Sequence, residues 1–349
     1  MSDPNDLPSP GLPSLGLPFL GLPFVGPPFL GIPFLDAATV TRLLPMADAI
    51  DALELALRQG LDPEADPPRT IVPVPAGQIL LMPSATPRYA GVKLVTVAPG
   101  NAERGLPRIQ GVYLLLDGQT LAPLAIVDGA ALTSLRTPAV SAVAVRHLAV
   151  AAAHRLVIFG TGPQAWGHLE AIRQIRPITH VGVVGRRGDQ VMSFVNRCRA
   201  AGLTADPASP DAVAEADIVC CCTTARQPLF DSARLASRAT VVAIGSHEPD
   251  AREVDENLVR VATTVVEARS VALREAGDIV QAIQLGAGTA ASLATLDELV
   301  RGMVAVAPDR PRLFKSTGMA WEDLVAASAL YQRWLEREGG AVGGLDPPR

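Results

Sequence analysis

Residues 155–171, RLVIFGTGPQAWGHLEA, leave this chain few ways to fold. Leu156, Val157, Ile158 and Phe159 form a short apolar run, as expected of a strand buried on both faces. Gly160-Thr161-Gly162 follows at once. Pro163 can open a helix, because it lacks an N–H that would be orphaned there anyway. Gln164 to Ile175 reads as that helix. Strand, glycine turn and helix in this order define a dinucleotide site. Gly160 and Gly162 let the backbone approach a pyrophosphate, and Gln164 stands in the first helical turn, where amide donors and a partial positive charge gather. Ala165 holds the third small position of G-x-G-x-x-G/A, which lets helix and strand pack closely.

From residue 155 onward strands alternate with helices. Strands are predicted at 155–159, 180–184, 203–206, 217–222, 240–244 and 262–266. This is a doubly wound, Rossmann-type parallel sheet. The stretch before it differs. Helices are predicted over 37–43 and 46–59. Strand-like pieces follow at 70–74, 78–82, 89–97, 111–117 and 124–128, separated by turn residues. That pattern is a largely antiparallel sheet. A helix over 132–148 follows, with Pro138 near its start. After residue 285 the chain turns helical again, most clearly at 295–304 and 321–338. The fold class is therefore α/β, with a Rossmann-type sheet inserted in an α+β domain.

The first 35 residues stand apart. GLPSL, GLPFL, GLPFV, GPPFL and GIPFL repeat every five residues from Gly11 to Leu35. Proline in each unit blocks helix and central strand alike. The stretch lacks a basic start, and Asp3 and Asp6 open it, so it does not read as a signal peptide. It is expected to be a disordered extension outside the fold. The domains are then 1–35 as extension, 36–135 with 290–340 as a substrate and dimerisation domain, and 136–289 as the dinucleotide domain.

The 349 residues carry a net charge of −5, so no basic excess points to nucleic acid or an anionic membrane. The four cysteines are Cys198 and the run Cys220-Cys221-Cys222. Adjacent cysteines on a strand face opposite sides, which is poor geometry for a disulfide or a metal. They read as small apolar strand residues in a reducing compartment, the cytoplasm.

The cofactor preference turns on one position. An NAD site usually has Asp or Glu at the end of the second strand, where it holds the ribose 2′-OH. Here the run is Val183-Val184-Gly185-Arg186-Arg187. Two guanidiniums can pair with a 2′-phosphate, which a carboxylate would repel. NADP(H) is favoured, with NAD(H) as the alternative, since Asp189 lies close by.

Further motifs are GVKLVTVAPGN (91–101), GLP (105–107), LTSLRTPAVSAVA within 128–144, IGSHEPDAREVD (244–255) and LFKSTGMAWEDLVAA (313–327). With GTGPQA (160–165) they make the chain similar to the ornithine cyclodeaminase/mu-crystallin family over about residues 35–335. The resemblance implies a homodimer that acts on a small α-imino or α-amino acid with a nicotinamide cofactor. Activities in the family include cyclodeamination, imine reduction, amino-acid dehydrogenation and thyroid-hormone binding.

The resemblance assigns Arg69 and Arg136 to the substrate carboxylate, a task that suits a planar guanidinium fork. It places Thr137 at the cofactor phosphates and makes Lys93 the active-site lysine. The residues support that last role independently. Lys93 lies between Val92 and Leu94 in an apolar strand, so its ammonium must be paired or face a cavity. Beside arginines its pKa should fall, which suits a proton donor. Gly245, Thr223 and Lys315 are expected at the cofactor, and Glu275 in the substrate pocket. Two departures matter. Where true ornithine cyclodeaminases carry a glutamate two residues before Met-Pro, this chain has Leu80. Where they carry an aspartate after the fifth strand, it has His247, a candidate acid/base group. Without both carboxylates, ring-closing deamination is disfavoured. The favoured reading is an NADPH-dependent reductase giving proline or pipecolate. A cyclodeaminase with bound NAD, an amino-acid dehydrogenase and a non-catalytic NADP-dependent binding protein are the alternatives.

Overall fold

The structure, a computed structural model, describes residues 32–337. The expectations for residues 1–31 and for the last residues of the chain lie outside this range.

The first sheet has six strands: β1 (Phe34–Leu35), β2 (Thr70–Val74), β3 (Gly77–Ala85), β4 (Tyr89–Val97), β5 (Ile109–Asp117) and β6 (Pro123–Asp128). Their order is β1-β6-β5-β4-β3-β2. All pairs are antiparallel except β1 with β6. Phe34 and Leu35, the end of the last pentapeptide unit, therefore belong to the fold. Helices α1 (Ala37–Leu43) and α2 (Met46–Arg58) follow β1, and α3 (Gly129–Leu148) follows β6. Asp128 caps α3 by accepting from the amides of Ala130 and Ala131. The helix thus begins three residues before the predicted start, and Pro138 lies in its middle. A domain boundary between residues 135 and 136 would fall inside this continuous helix.

The second sheet is wholly parallel. It comprises β7 (Arg155–Phe159), β8 (His180–Val184), β9 (Thr204–Pro207), β10 (Ile218–Cys221), β11 (Thr240–Ala243), β12 (Thr263–Val266), β13 (Ala294–Thr295) and β14 (Arg312–Lys315). The order is β13-β12-β14-β11-β10-β7-β8-β9. Helices α4 (Pro163–Ile175), α5 (Gly188–Ala200), α6 (Glu256–Val261), α7 (Arg269–Glu275), α8 (Gly277–Gln284), α9 (Leu296–Val300) and α10 (Ala320–Arg337) complete the fold. Side chains alternate across the sheet. Leu156, Ile158 and Cys220 join the core shared with α2, α3 and α10, while Val157, Phe159 and Cys221 join a second core on the opposite face. The cysteines are unpaired, and burial pushes the thiols of Cys220, Cys221 and Cys222 above their ordinary pKa.

The sequence boundary at 289/290 needs correction. Residues 290–337 contribute β13 and β14 to the dinucleotide sheet, and β14 sits between β11 and β12. The predicted helix over 295–304 shortens to α9. β14 is only four residues long with a cation at each end, so it carries no strand-like pattern. It can be central because Lys315 is neutralised by Asp278 at 2.9 Å. Among the described residues no helix is long and apolar enough to cross a membrane.

The two halves meet along α3 and α4. An ideal Cβ on Gly167 would lie 2.7 Å from Cγ of Pro138. Gly167→Val should therefore destabilise the protein by about 1–3 kcal/mol. A lowered midpoint in urea or thermal unfolding would register it.

Candidate active site

The glycine turn follows β7 directly. Gly160 has φ +111°, and a Cβ there would lie 2.5 Å from the carbonyl oxygen of Cys222, so only glycine is accommodated. Gly162 is the N-cap of α4, and nothing lies within 4 Å of where its Cβ would be. The first helical bond runs from the Trp166 amide to the carbonyl of Gly162, which leaves the amides of Gln164 and Ala165 without a helical acceptor. The side-chain oxygen of Gln164 is buried without a partner among the described residues. Ala165 is fully buried against the sheet. An open, amide-lined cradle at a helix N-terminus fits a dinucleotide pyrophosphate. Ser134 of α3 lines a cavity of about 440 Å³ together with Thr161, Gly162 and Pro163. Thr137, one turn further along α3, is nearly buried.

Neighbouring turns close the edge of the sheet. Buried Glu253 accepts from the amide and hydroxyl of Thr223 at 2.8 and 2.7 Å and from the Gly245 amide at 2.7 Å. A Cβ on Gly245 would lie 2.0 Å from the Thr223 carbonyl oxygen. Lys315 has a different task from the cofactor contact expected of it. It is enclosed, paired with Asp278, and donates to the carbonyl of Ser246 at 2.7 Å. It thus braces the turn after Gly245 from behind. Arg186 and Arg187 lie exposed after β8, without an ion pair among the described residues.

A cluster of buried charge joins β4, α3 and α10. Lys93 projects from β4 and is 2% exposed. Its Nζ lies 2.7 Å from Oδ2 of Asp323 and donates to Thr133 Oγ1 at 3.3 Å. Burial, then the Arg136 guanidinium, lower its pKa, which Asp323 partly restores to about 8. Arg136 donates through Nε to Asp323 Oδ1 at 3.1 Å and through Nη1 to Glu322. Burial opposes its charge, but Asp323 and Glu322 more than offset this and raise its pKa. Glu322 is itself pushed well up, by burial and by Glu267.

Arg69 arrives from the other side. Its Nη2 lies 3.0 Å from Oε2 of Glu275 and donates to the carbonyls of Thr317 and Gly318 at 3.2 and 2.7 Å. Gly318 is where the two arginines meet. Its φ is +77°, and a Cβ on it would lie 2.8 Å from Nη1 of Arg136. Glu267 fixes the same loop by accepting from Ser316 Oγ and the amides of Thr317 and Gly318. His247 lies on an exposed turn; desolvation, then the Arg69 charge, lower its pKa.

Arg69 and Arg136 thus both reach Gly318, Lys93 is linked to Arg136 through Asp323, and Glu275 pairs with Arg69, whose charge also acts on His247. Sequence reasoning gave no roles to Glu267, Glu322, Asp323, Asp278 and Glu253. Glu322 and Asp323 read as ordinary first-turn acids of a helix, because their partner Arg136 lies 186 and 187 positions away.

Fold and glycine turn define an α/β protein of the dinucleotide-binding type, with a buried cluster of paired cations and carboxylates. The sequence profile of the ornithine cyclodeaminase/mu-crystallin family matches residues 33–338, and the chain belongs to that family. It is 34% identical over 319 residues to a Δ1-pyrroline-2-carboxylate reductase of Bacillus cereus, covering 85% of this chain and 95% of the relative. Among solved structures, Thermococcus litoralis Δ1-pyrroline-2-carboxylate reductase with NADH and L-proline superposes with a TM-score of 0.81 at 30% identity, covering 87% of this chain and 98% of that one. An archaeal alanine dehydrogenase dimer with NAD gives a TM-score of 0.82 at 28% identity, with 88% and 97% covered.

Gly318→Ala should push Arg136 aside. Calorimetry should then show binding of a small cyclic amino acid such as L-proline weakened by about tenfold or more. Fluorescence titration with NADPH should give unchanged affinity.

Proposed function

We propose that this chain is an NAD(P)H-dependent reductase of a small cyclic imino acid, of the Δ1-pyrroline-2-carboxylate or Δ1-piperideine-2-carboxylate type, with NADPH preferred. The observation that carries the reading is the placement of Lys93. It is a buried ammonium between Asp323 and the Arg136 guanidinium, and Arg69 reaches the same Gly318 loop that Arg136 packs against.

The chemistry follows from that placement. The carboxylate of the imino acid takes the guanidinium edges of Arg69 and Arg136 left free beside Gly318. This fixes the imine carbon toward the glycine-turn edge, and such positioning is most of what the site must supply. The nicotinamide, when bound, supplies the hydride. Lys93 gives the imine nitrogen its proton, and the product is a cyclic secondary amine. A lysine whose pKa lies near 8 is protonated at neutral pH and still parts with its proton readily. Asp323 keeps the ammonium oriented.

Leu80 and Met82 supply apolar surface on the face of β3 that carries Lys93's cross-strand neighbour. That surface suits a hydrocarbon ring better than a side-chain ammonium, and this argues for reduction over cyclodeamination. His247, where cyclodeaminases carry an aspartate, brings no carboxylate's charge. Arg186 and Arg187 favour a 2′-phosphate. Leu81, Leu94 and Val112 stand directly opposite one another on the outer face of the first sheet, and Val72 is exposed on the same face of β2. A second copy of the chain would cover this row, which makes a homodimer the expected assembly. The cytoplasm suits the enzyme, since its four cysteines are all free.

The purified protein should oxidise NADPH in the presence of either cyclic imino acid. Ammonia release from ornithine or lysine without net oxidation would refute the reading. Because Lys93 must be protonated to act, kcat/KM should fall as pH rises through about 8. Lys93→Met should lower kcat by about 10²–10⁴-fold and leave NADPH affinity intact. In a separate comparison, Arg186→Ala combined with Arg187→Ala should raise KM for NADPH by about tenfold or more and barely change that for NADH.

A further inference from the structure

Asp66 follows the short 3-10 turn Pro63–Ala65 and precedes Arg69 by three residues. Both its oxygens are engaged. Ser84 Oγ donates to one at 2.6 Å, and the Trp321 amide donates to the other at 2.6 Å. Trp321 is the second residue of α10. Asp66 therefore satisfies an orphan amide of that helix from 255 positions away. The same first turn of α10 carries Asp323, which holds Lys93 and Arg136.

The surroundings of Asp66 tie it to the reaction space. Ser84 stands opposite Gly91 on β4, and the Tyr113 hydroxyl crosses over Gly91, 2.2 Å from where a Cβ would be. Tyr113 stands opposite Lys93 on β5, and its hydroxyl is buried without a partner among the described residues. Asp66, Arg69, Met82, Glu275 and Gly318 also line a cavity of about 20 Å³, room for one water molecule. The titratable and charged groups facing Asp66 are Asp323 of α10, Tyr113 of β5, Arg274 and Glu275 of α7, and Arg69 of its own segment. Burial raises the Asp66 carboxyl to about 6 despite the bonds from Ser84 and Trp321, and Asp323 adds to the rise. A carboxyl whose folded pKa lies above its ordinary 3.8 costs stability once pH passes that window and the group ionises.

We propose that Asp66 is a positioning residue for Lys93: its ionised carboxylate fixes the first turn of α10 and with it Asp323, so that Asp66 sets the acid limb of the reductase's pH profile. This rests on the reductase reading given above.

Two variants and one label test it. Wild-type kcat/KM should fall as pH drops through about 6. Asp66→Asn keeps an acceptor for the Trp321 amide but cannot titrate. It should abolish that limb, lower kcat by about tenfold across the range, and leave KM for the nicotinamide unchanged. Ser84→Ala removes a bond that holds the Asp66 pKa down, so its limb should move to higher pH. Independently of catalysis, nitrogen-15 labelling of the three tryptophans gives an amide signal for Trp321, assigned with Trp321→Phe. That signal should titrate near pH 6 in the wild type and stay still in Asp66→Asn. An acid limb that persists at its wild-type midpoint in Asp66→Asn would overturn the proposal and point to His247 instead. A Trp321 amide indifferent to pH would overturn it as well. If the wild type reduces no cyclic imino acid, the reductase reading fails, and the Trp321 signal alone decides whether Asp66 governs α10.

Discussion

The contact on which the site depends is the buried bridge from Lys93 through Asp323 to Arg136. Three charges are taken out of water at once. Such a cluster is weak evidence for stability, because desolvation offsets most of the attraction. Its value is directional. Asp323 takes a lysine from β4 and an arginine from α3 and fixes both relative to α10. The two cations then hold fixed places, and under the proposed function this readies Arg136 for the substrate carboxylate and Lys93 for proton transfer.

The rest of the fold is arranged to keep that bridge in register with the dinucleotide edge. β14 lies inside the parallel sheet and leads straight into the loop 316–319. Glu267 grips this loop through its amides, while Arg69 grips it through its carbonyls. Beneath it, Asp278 neutralises Lys315 and also accepts from the amides of Glu253 and Val254. Glu253 in turn ties Thr223 to Gly245. A set of buried carboxylates therefore braces the loop 316–319 and the turns at Thr223 and Gly245. The C-terminal segment serves both halves of the molecule, and the site lies where they meet.

What the sequence reveals follows from how local each signal is. The strand, glycine turn and helix at 155–175 are contiguous, and the steric demand on Gly160 makes the turn readable without neighbours. Lys93 is readable too, since an ammonium within an apolar strand must have a partner. The identity of that partner is not, because Asp323 lies in a helix that looks like any solvent-capped one. β14 is hidden for a similar reason: its charged ends deny it a strand pattern until Asp278 is in place. The sequence points Lys315 toward the cofactor, yet its ammonium faces inward to Asp278 and the Ser246 carbonyl, because its position on a central strand leaves no path to solvent. The pentapeptide repeat blurs the start of the fold, so the pairing of Phe34 and Leu35 with Ile126 and Val127 emerges only in three dimensions.

The most direct measurement of the central claim follows the hydrogen itself. The reaction would be run with NADPH deuterated at the transferable nicotinamide position and Δ1-piperideine-2-carboxylate, and the product read by mass spectrometry and NMR. The account predicts one deuterium at the ring carbon bearing the carboxylate and a solvent-exchangeable hydrogen on the ring nitrogen. Pipecolate lacking deuterium at that carbon would contradict direct hydride transfer in the space bounded by Arg69, Lys93 and Arg136.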